Sequence, residues 1–279
     1  MNRQCYYRSF WIVAKKRSKS EDVLSLVKEV RSLMPRIGTR KLYYILEPSL
    51  RKLSVGRDKL FRILKANNML IHPKRNYRIT TDSHHRFRKH KNLVAAMELS
   101  HPEQVWVSDI TYIGGRDRNC YLALVTDAYS KKIMGYDVSN SLATEGSLRA
   151  LSMAIRQRKY KHPTIHHSDR GLQYCSNDYQ DALKNKKITP SMTESYDPYA
   201  NAIAERVNGI LKQEFLLEDY LVNLDTMKLV VQDAVRIYNT KRPHWSCLMK
   251  TPEQMHHQRK IKIKSYKKST ISKASLADG

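Results

Sequence analysis

The sequence between residues 104 and 215 alternates strand and helix patterns in one particular order. Runs rich in β-branched and aromatic residues occupy 104–113, 119–127 and 131–138, and turn residues between them indicate three successive antiparallel strands. The pattern continues with a helix at 144–159, a strand at 163–168, a helix at 177–186, a short strand at 188–191 and a helix at 201–215. This order predicts an α/β fold with a mixed five-stranded sheet and helices on both faces.

Three carboxylates lie inside this pattern, and the residues around each one predict its place in the fold. Asp109 interrupts the run Val105–Ile113, which is apolar or β-branched on both alternating phases, as in a strand buried on both faces. Asp169 ends a short β-like run, so we expect it at the end of a strand. Glu205 lies on the helical segment 201–215, on a different face from the apolar stripe of that helix.

Asp109, Asp169 and Glu205 are therefore the predicted catalytic and metal-binding residues. Two strand-borne acids and one helix-borne acid that converge make an oxygen-rich, negative pocket, which suits hard divalent cations. A pair of Mg²⁺ or Mn²⁺ ions about 3.5–4 Å apart can serve both the attacking and the leaving oxygen of an in-line phosphoryl displacement. The expected cofactor is two such ions per active site, and the expected substrate is a phosphodiester.

The motifs around these acids resemble those of a known family. They are Trp106–Tyr112, His167–Tyr174, Ser191-Met192, Asn201–Asn208, Leu211–Glu214, Tyr238–His244 and Thr251-Pro252. In their order and spacing the chain is similar to transposases of the IS-three family of bacterial insertion sequences. The similarity is to the second-frame (OrfB) product, which has a retroviral-integrase-like core of the RNase H-like fold. One departure is Ala200, where many relatives have Asp directly before the helix Asn.

The resemblance implies a DDE-type transposase, a polynucleotidyl transferase that cleaves and joins DNA strands at the ends of an insertion sequence. In such relatives the first product joins one end of the element to the other, which leads to an excised circle that later integrates. The motif Arg242-Pro243-His244 makes Arg242 a candidate for DNA contact. Lys212 lies two helical turns beyond Glu205 on the same side, so it either contacts phosphates of the DNA end or is a solvated lysine.

Positive charge is concentrated outside the segment that carries the three acids. The net charge is +25, of which residues 1–100 contribute +17, residues 101–255 contribute +2 and residues 256–279 contribute +6. The sharp change in net charge near residue 100 indicates that the flanking parts bind a polyanion and the middle part cuts it. A generally basic protein would not show this step. A membrane role is not favoured, because no apolar run is long enough to span a bilayer.

The segment before residue 72 has the pattern of three short helices. Residues 21–34 carry an apolar stripe that ends at Pro35, and Thr39 is predicted as the N-cap of a second helix that stops before Pro48. A third helix is predicted to begin near Ser54. Three short helices of this kind are typical of a helix-turn-helix module.

The third helix is the predicted recognition helix. Leu60, Phe61 and Leu64 are expected to face inward, which leaves the basic side chains outside for contact with DNA: Arg57, Lys59, Arg62 and Lys65. The alternative interpretation is a plain three-helix bundle whose lysines and arginines are only solvated.

The expected organisation is a helix-turn-helix-like domain at 1–71, a basic linker at 72–100, the RNase H-like catalytic core at 101–256 and a basic tail at 257–279. The four cysteines are far apart, which is typical of a reducing cytosol, and the expected location is the bacterial cytoplasm at the nucleoid. No His and Cys set has the spacing of a structural zinc site. His167 is either a hydrogen-bonded structural side chain or an orienter of Asp169.

Two other functions remain open. A catalytically inert helix-turn-helix protein would be expected to lose grouped acids, because their like charges repel one another. An RNase H-type nuclease would share the metal site. The expected partners are the terminal inverted repeats of an element, target DNA and further copies of this chain, since two DNA ends must be brought together. The first-frame (OrfA) product is also expected as a partner, either separate or fused to this chain.

Overall fold

A computed structural model describes residues 3–72, 90–95, 97–115, 120–193 and 202–258 of the chain. The linker residues 73–89, Ala96, Ala200 and the tail residues 259–279 lie outside the described residues, so the predictions made for them stay predictions.

The centre of the molecule is one mixed sheet of five strands in the order β3-β2-β1-β4-β5. The strands are β1 Val105–Ile113, β2 Cys120–Asp127, β3 Ile133–Ser139, β4 Thr164–Ser168 and β5 Ile188–Met192. β1, β2 and β3 form an antiparallel meander, while β4 runs parallel to β1 and to β5. The predicted α/β fold class is confirmed, and its RNase H-like order follows from this topology.

Helices cover both faces of the sheet. They are α4 Thr144–Gln157, α5 Leu172–Cys175, α6 Asn177–Asn185, α7 Ala202–Glu214, α8 Leu224–Thr240 and α9 Pro252–His256. Strand β2 shows why two layers form, because alternate residues of a strand point to opposite faces. Leu122 and Leu124 pack in one apolar cluster with α7 and α8. Ala123 and Val125 pack in the other, with α4, α5 and α6.

The amino-terminal part is all helical, as predicted, but its helices have different ends. They are α1 Arg3–Leu33, α2 Thr39–Lys52 and α3 Arg57–Ala66. Thr39 is the first helical residue of α2, with Gly38 at the N-cap, and Pro48 lies inside the helix instead of ending it. The buried stripe of Leu42, Leu46 and Leu50 continues through the proline, and its packing keeps the helix intact.

An ion-paired junction joins these helices to the part of the chain that contains the sheet. We call it the Glu214 junction, formed by Lys41 of α2, Glu214 at the end of α7 and Arg242 after α8. Lys41 Nζ lies 2.8 Å from Glu214 Oε1, and Arg242 holds the same carboxylate through two nitrogens at 2.7 and 2.8 Å. The backbone N–H of Arg36 also donates to the carbonyl of Glu214 at 3.0 Å. The amino-terminal helices and α7 are therefore packed directly together.

A buried polar cluster closes the opposite end of the sheet. Glu103, just before β1, accepts hydrogen bonds from the backbone N–H groups of Lys159 and Tyr160 at 2.9 and 2.8 Å. His256 of α9 has one ring nitrogen 3.3 Å from Glu103 and the other 3.6 Å from Asp127 at the end of β2. These contacts fix α9 against the start of β1.

Part of the predicted linker lies against the core. The backbone N–H of Leu93 donates to Ser191 Oγ at 2.9 Å, and Val94, Met97 and Leu99 pack beside Val105. Among the helices in the described ranges, none has the length and apolar composition to cross a membrane.

Candidate active site

Strand pairing brings Asp109 and Asp169 together. Ser108 of β1 and Ser168 of β4 are partners in the parallel register, so the next residue of each chain segment is one of the two acids. Neighbouring strands lie about 4.8 Å apart, and residues at equivalent positions point to the same face. The two predicted carboxylates are therefore neighbours across the β1–β4 pair, although 59 residues separate them along the chain.

The carboxyl group of Asp109 is held by two donors. Its Oδ1 accepts from the backbone N–H of Ile110 at 2.9 Å, and its Oδ2 accepts from the side-chain amide of Asn208 at 2.7 Å. Asp109 is half-buried as a residue, yet protein atoms enclose its carboxyl group. Burial and the charges of Asp169 and Glu205 raise its pKa to about 8, against the lowering effect of the two hydrogen bonds. Ionisation of Asp109 is therefore unfavourable unless a cation balances its negative charge.

Asp169 lies one residue beyond the end of β4, as its sequence pattern predicts. Its Oδ1 accepts from the backbone N–H of Gly171 at 3.0 Å, which orients the carboxylate within a tight turn. A Cβ atom at Gly171 would stand 3.0 Å from that same oxygen, so the glycine leaves room for this turn. The carboxylate of Asp169 is thereby held against the backbone of the turn that follows β4.

Glu205 lies in the first turn of α7, the helix that packs over β1. Its side chain is exposed, and its charge contributes to the raised pKa of Asp109. Among the described residues, no three side chains of His, Cys, Asp or Glu stand close enough to form a complete metal-ligand group. The structure therefore brings the three predicted acids within electrostatic reach of one another, with Glu205 at the rim.

Asn208 joins the site, although the sequence did not single it out as a site residue. It lies one helical turn after Glu205 and is 4% exposed. While its amide nitrogen donates to Asp109, its Oδ1 is buried and accepts no hydrogen bond within the described part of the chain. Its position three residues after Glu205 on the same helix face was the available signal.

A buried polar layer supports the two strand-borne acids from below. The hydroxyls of Ser108 and Tyr179 lie 2.7 and 2.9 Å from Nε2 of His166. Burial lowers the pKa of His166 to about 3, so the ring is neutral. His167 is buried with Nδ1 2.9 Å from Ser191 Oγ. This contact favours the structural interpretation of His167. The hydrogen bonds of the whole layer hold β1 and β4 in fixed positions relative to each other.

The predicted DNA-contacting side chains fall into two groups. Arg57, Arg62 and Lys65 of α3 are exposed, Lys59 is partly exposed, and the Lys212 amine lies 3.4 Å from Thr111 Oγ1, beside the acids. Arg242 differs, because its side chain is 1% exposed and its guanidinium is bound to Glu214. The structure thus shows an internal contact for Arg242, and its contact with DNA stays a prediction.

Comparisons with known proteins agree with this geometry. Two models described as integrase core domains match residues 100–198 and 186–252. An uncharacterised 31 kDa protein of insertion element IS600 from Shigella sonnei is 33% identical over 248 residues, which cover 88% of this chain and 90% of that protein. The transposase InsF of insertion sequence IS3fB from Escherichia coli (strain K12) is 35% identical over 160 residues. That match covers 57% of this chain and 56% of the InsF protein, so it spans about half of that relative.

A solved structure shares the fold. The simian T-cell lymphotropic virus intasome, solved in complex with the PP2A regulatory subunit B56 gamma, contains a chain that aligns with a TM-score of 0.51 and 20% identity. The alignment covers 85% of this chain and 81% of that chain. The residue motifs, the sheet topology and the relatives lead to one conclusion: the chain belongs to the IS-three (IS3) family of insertion-sequence transposases and carries an integrase-like core.

Proposed function

We propose that this chain catalyses metal-dependent DNA strand cleavage and strand transfer at the ends of an insertion sequence, with Asp109, Asp169 and Glu205 as its DDE triad. In the first step, water attacks the phosphodiester at the element end and the released 3′ oxygen takes up a proton. In the second step, this 3′-OH attacks another phosphodiester and displaces its 3′ oxygen. Each step exchanges one P–O bond for another, and no covalent protein intermediate is needed.

The observation that carries the proposal is the parallel register of β1 and β4, in which Ser108 and Ser168 are partners. Asp109 and Asp169 directly follow these serines, under the helix that carries Glu205 and Asn208. The pKa of Asp109 is raised first by burial of its carboxyl group and then by repulsion from the neighbouring carboxylates. Ionisation of these carboxyl groups is unfavourable without a counter-ion, so the site suits a ligand of positive charge. This is the pattern of perturbed acids that functional sites show.

The donor set fits hard divalent cations. Carboxylate oxygens of Asp109, Asp169 and Glu205 are the ligand type that Mg²⁺ and Mn²⁺ prefer. The Oδ1 of Asn208, which accepts no hydrogen bond from the described residues, adds a neutral oxygen beside Asp109. When bound, a pair of such ions supplies stabilisation of charge on the attacking and leaving oxygens. We propose two ions per site, held by the three acids.

The surrounding side chains orient the acids and the substrate. Asn208 and the Ile110 amide fix the rotamer of Asp109, and the Gly171 amide fixes Asp169. The amine of Lys212 on α7 lies close to Thr111, which is on the same strand as Asp109. We propose that this amine binds a phosphate of the DNA end. The buried layer around His166 keeps the two strands in register.

We propose that the basic face of α3 binds the terminal repeats through Arg57, Lys59, Arg62 and Lys65. The turn between α2 and α3, residues 53–56, has the length of a helix-turn-helix turn. Synapsis of two DNA ends requires at least two copies of the chain on DNA. The OrfA product, separate or fused, remains a proposed partner on the family resemblance.

The test is Asp109→Asn in the full chain, assayed on end-labelled DNA that carries the element's terminal repeats, with Mg²⁺ supplied. We expect strand cleavage to fall by more than about a hundredfold, because a ligand oxygen and its charge are lost at the reacting centre. The matched control is Asp233→Asn, which removes a carboxylate that is 70% exposed on α8. The control should cleave at the wild-type rate.

Cleavage by Asp109→Asn at an undiminished rate would remove Asp109 from the mechanism. The same assay separates the alternative functions. Binding to the repeats with no cleavage by the wild-type chain would favour an inert DNA-binding protein. Cleavage of RNA–DNA hybrids, with none on terminal repeats, would favour an RNase H-type nuclease.

A further inference from the structure

The first half of α1 is an exposed arm, which we define as residues 3–20. All residues from Arg3 to Ser18 are exposed, and the first buried side chains of the helix are Val23 and Val27. At 1.5 Å per residue, the arm extends roughly 25 Å beyond the packed part of the helix. Its conformation therefore does not depend on contacts with the catalytic core.

The arm carries large aromatic side chains in water. Tyr6, Tyr7, Phe10 and Trp11 are 59%, 52%, 63% and 72% exposed. Tyr6 and Phe10 are four residues apart, as are Tyr7 and Trp11, so the four rings form two adjacent rows along one side of the helix. A contiguous exposed apolar patch of this kind marks an interaction surface.

The same arm is strongly cationic. Between Arg3 and Ser20 the sequence has six basic residues and no Asp or Glu: Arg3, Arg8, Lys15, Lys16, Arg17 and Lys19. The guanidinium of Arg3 lies 6.0 Å from the centroid of the Tyr7 ring, so cation and ring already share one face. A second copy of this arm would bring a second set of six cations alongside, which opposes self-association.

We propose that the arm is a single-strand nucleic-acid binding element, in which Phe10, Trp11 and their neighbouring rings stack on unpaired bases while the cations bind the phosphates. Flat aromatic faces beside a cationic backbone-binding surface are the combination that binds single strands without sequence preference. In an intact duplex the base faces are already covered by their neighbours. The arm therefore selects unpaired or splayed nucleotides over double-stranded DNA.

This site lies apart from the proposed DDE triad and does not require it. Its occupant is a nucleic acid rather than a lipid surface, because cations and rings share one side of the arm, as Arg3 and Tyr7 do. A helix that inserts into lipid keeps its cations on a polar face, apart from the aromatic and aliphatic face that is buried at the acyl boundary.

The test uses the full chain in the absence of divalent ions. The probe is a fluorescein-labelled oligothymidine of about 20 nucleotides, longer than common single-strand site sizes, beside a duplex of equal length. Phe10→Ala combined with Trp11→Ala should weaken binding of the oligothymidine at least tenfold and binding of the duplex less than threefold. The matched control is Leu229→Ala, an apolar side chain 65% exposed on α8, which should change neither affinity.

A second variant, Lys15→Gln with Lys16→Gln, should weaken both probes, since it removes phosphate contacts and leaves the rings in place. Far-UV circular dichroism of each variant checks that the exposed substitutions leave the fold intact. Because the oligothymidine assay contains no divalent ion and measures binding alone, failure of the arm and failure of the catalytic proposal are distinguishable.

Three results would overturn the proposal. One is an unchanged oligothymidine affinity in the ring variant, and another is an equal loss on both probes. The third is a different occupant: light scattering that shows a wild-type dimer and a monomeric ring variant, or phosphatidylserine vesicles that bind the wild type more tightly than oligothymidine does.

Discussion

At the scale of single residues, Asp109 holds its carboxyl group where ionisation is unfavourable. Its pKa of about 8 in the folded protein compares with 3.8 for a free side chain, and burial is the largest cause. Between these two pH values the folded chain keeps a proton that the unfolded chain has lost. The contribution of Asp109 to stability is therefore fully present below about pH 4 and is lost as the pH rises toward 8.

Asp109→Asn should remove this pH dependence. Without divalent ions, we expect the variant and the wild type to have similar free energies of unfolding near pH 4. Near pH 8 the variant should be more stable by an amount on the order of a few kcal/mol, because no buried charge forms. Urea unfolding at both pH values, with a chelator present, measures the difference.

Asp233→Asn serves as the control for this experiment, since its exposed carboxylate should leave the pH profile unchanged. Parallel profiles for the wild type and Asp109→Asn would contradict a raised pKa at this position. Addition of Mg²⁺ at pH 8 should stabilise the wild type and have a much smaller effect on the variant.

The sequence predicted where some candidate site residues lie in the fold, but it did not predict the long-range contacts of others, for physical reasons. Asp109 and Asp169 follow from strand patterns, because both lie where a run of buried β residues is interrupted or ends. The ion pair of Arg242 could not be predicted from its motif, since its counter-ion Glu214 is 28 positions away and only the fold brings them together. The hydrogen bond from Asn208 to Asp109 spans 99 positions and could not be predicted either, although the position of Asn208 on the same helix face as Glu205 could.

At the scale of secondary-structure elements, long-range packing explains where the predicted helix ends differ from the structure. Pro48 normally ends a helix, but α2 continues because Leu46 and Leu50 on either side of it are buried. The exposed half of α1 has no buried stripe, so periodicity gave no signal for it. The strands were predicted to within about two residues, because β-branched runs bounded by turn residues are local signals.

The Glu214 junction links two of these elements, and Glu214→Gln tests it. Burial alone would raise the pKa of Glu214, but the hydrogen bonds and charges of Arg242 and Lys41 outweigh it and lower the pKa to about 2. The substitution leaves the buried guanidinium of Arg242 without a counter-ion. We expect the free energy of unfolding at pH 7 to fall by about 3–5 kcal/mol.

The sign of the pH dependence provides a second measurement. A carboxylate whose pKa is lowered stabilises the fold above the unfolded pKa of 4.5, and that stability is lost as the pH falls toward 2. The wild type and Glu214→Gln should therefore converge in acid. The pKa of Lys41 is lowered to about 8 by burial and by the nearby Arg242. We therefore assign most of the lowering of the Glu214 pKa to the contact that Arg242 makes through two nitrogens.

Glu29→Gln, at an exposed position of α1, is the matched control and should lose little stability. A stability loss at Glu214 no larger than that at Glu29 would show that the junction contributes nothing measurable. A loss that persists unchanged near pH 2 would assign the effect to packing of the side chain and not to its charge.

At the scale of the whole molecule, the net charge of +25 should make DNA binding strongly dependent on salt. Residues 259–279 hold seven basic residues and one acid, a net of +6. Removal of these residues should make the fall of log affinity with log salt shallower by up to about five, since each phosphate contact contributes about 0.9. Fluorescence polarisation with a labelled duplex over a range of salt concentrations measures the slope.

A neutral Gly/Ser segment of equal length in place of residues 259–279 is the control for chain length. It should give the same shallow slope as the truncated chain. An unchanged slope in both variants would mean that the tail charges do not reach DNA. Cleavage at low salt should remain in both, because the proposed triad and the junction lie outside the removed segment.

The cluster at the far end of the sheet has a consequence for protein synthesis. Glu103 and His256 are 153 positions apart, and together with Asp127 they fix α9 against the start of β1. A ribosome must therefore translate almost the whole core before this end of the sheet can close. We infer that the sheet domain of a nascent chain stays incomplete until residue 256 has left the ribosome, so the core closes at this end only after the start of its first strand has waited for more than 150 further residues.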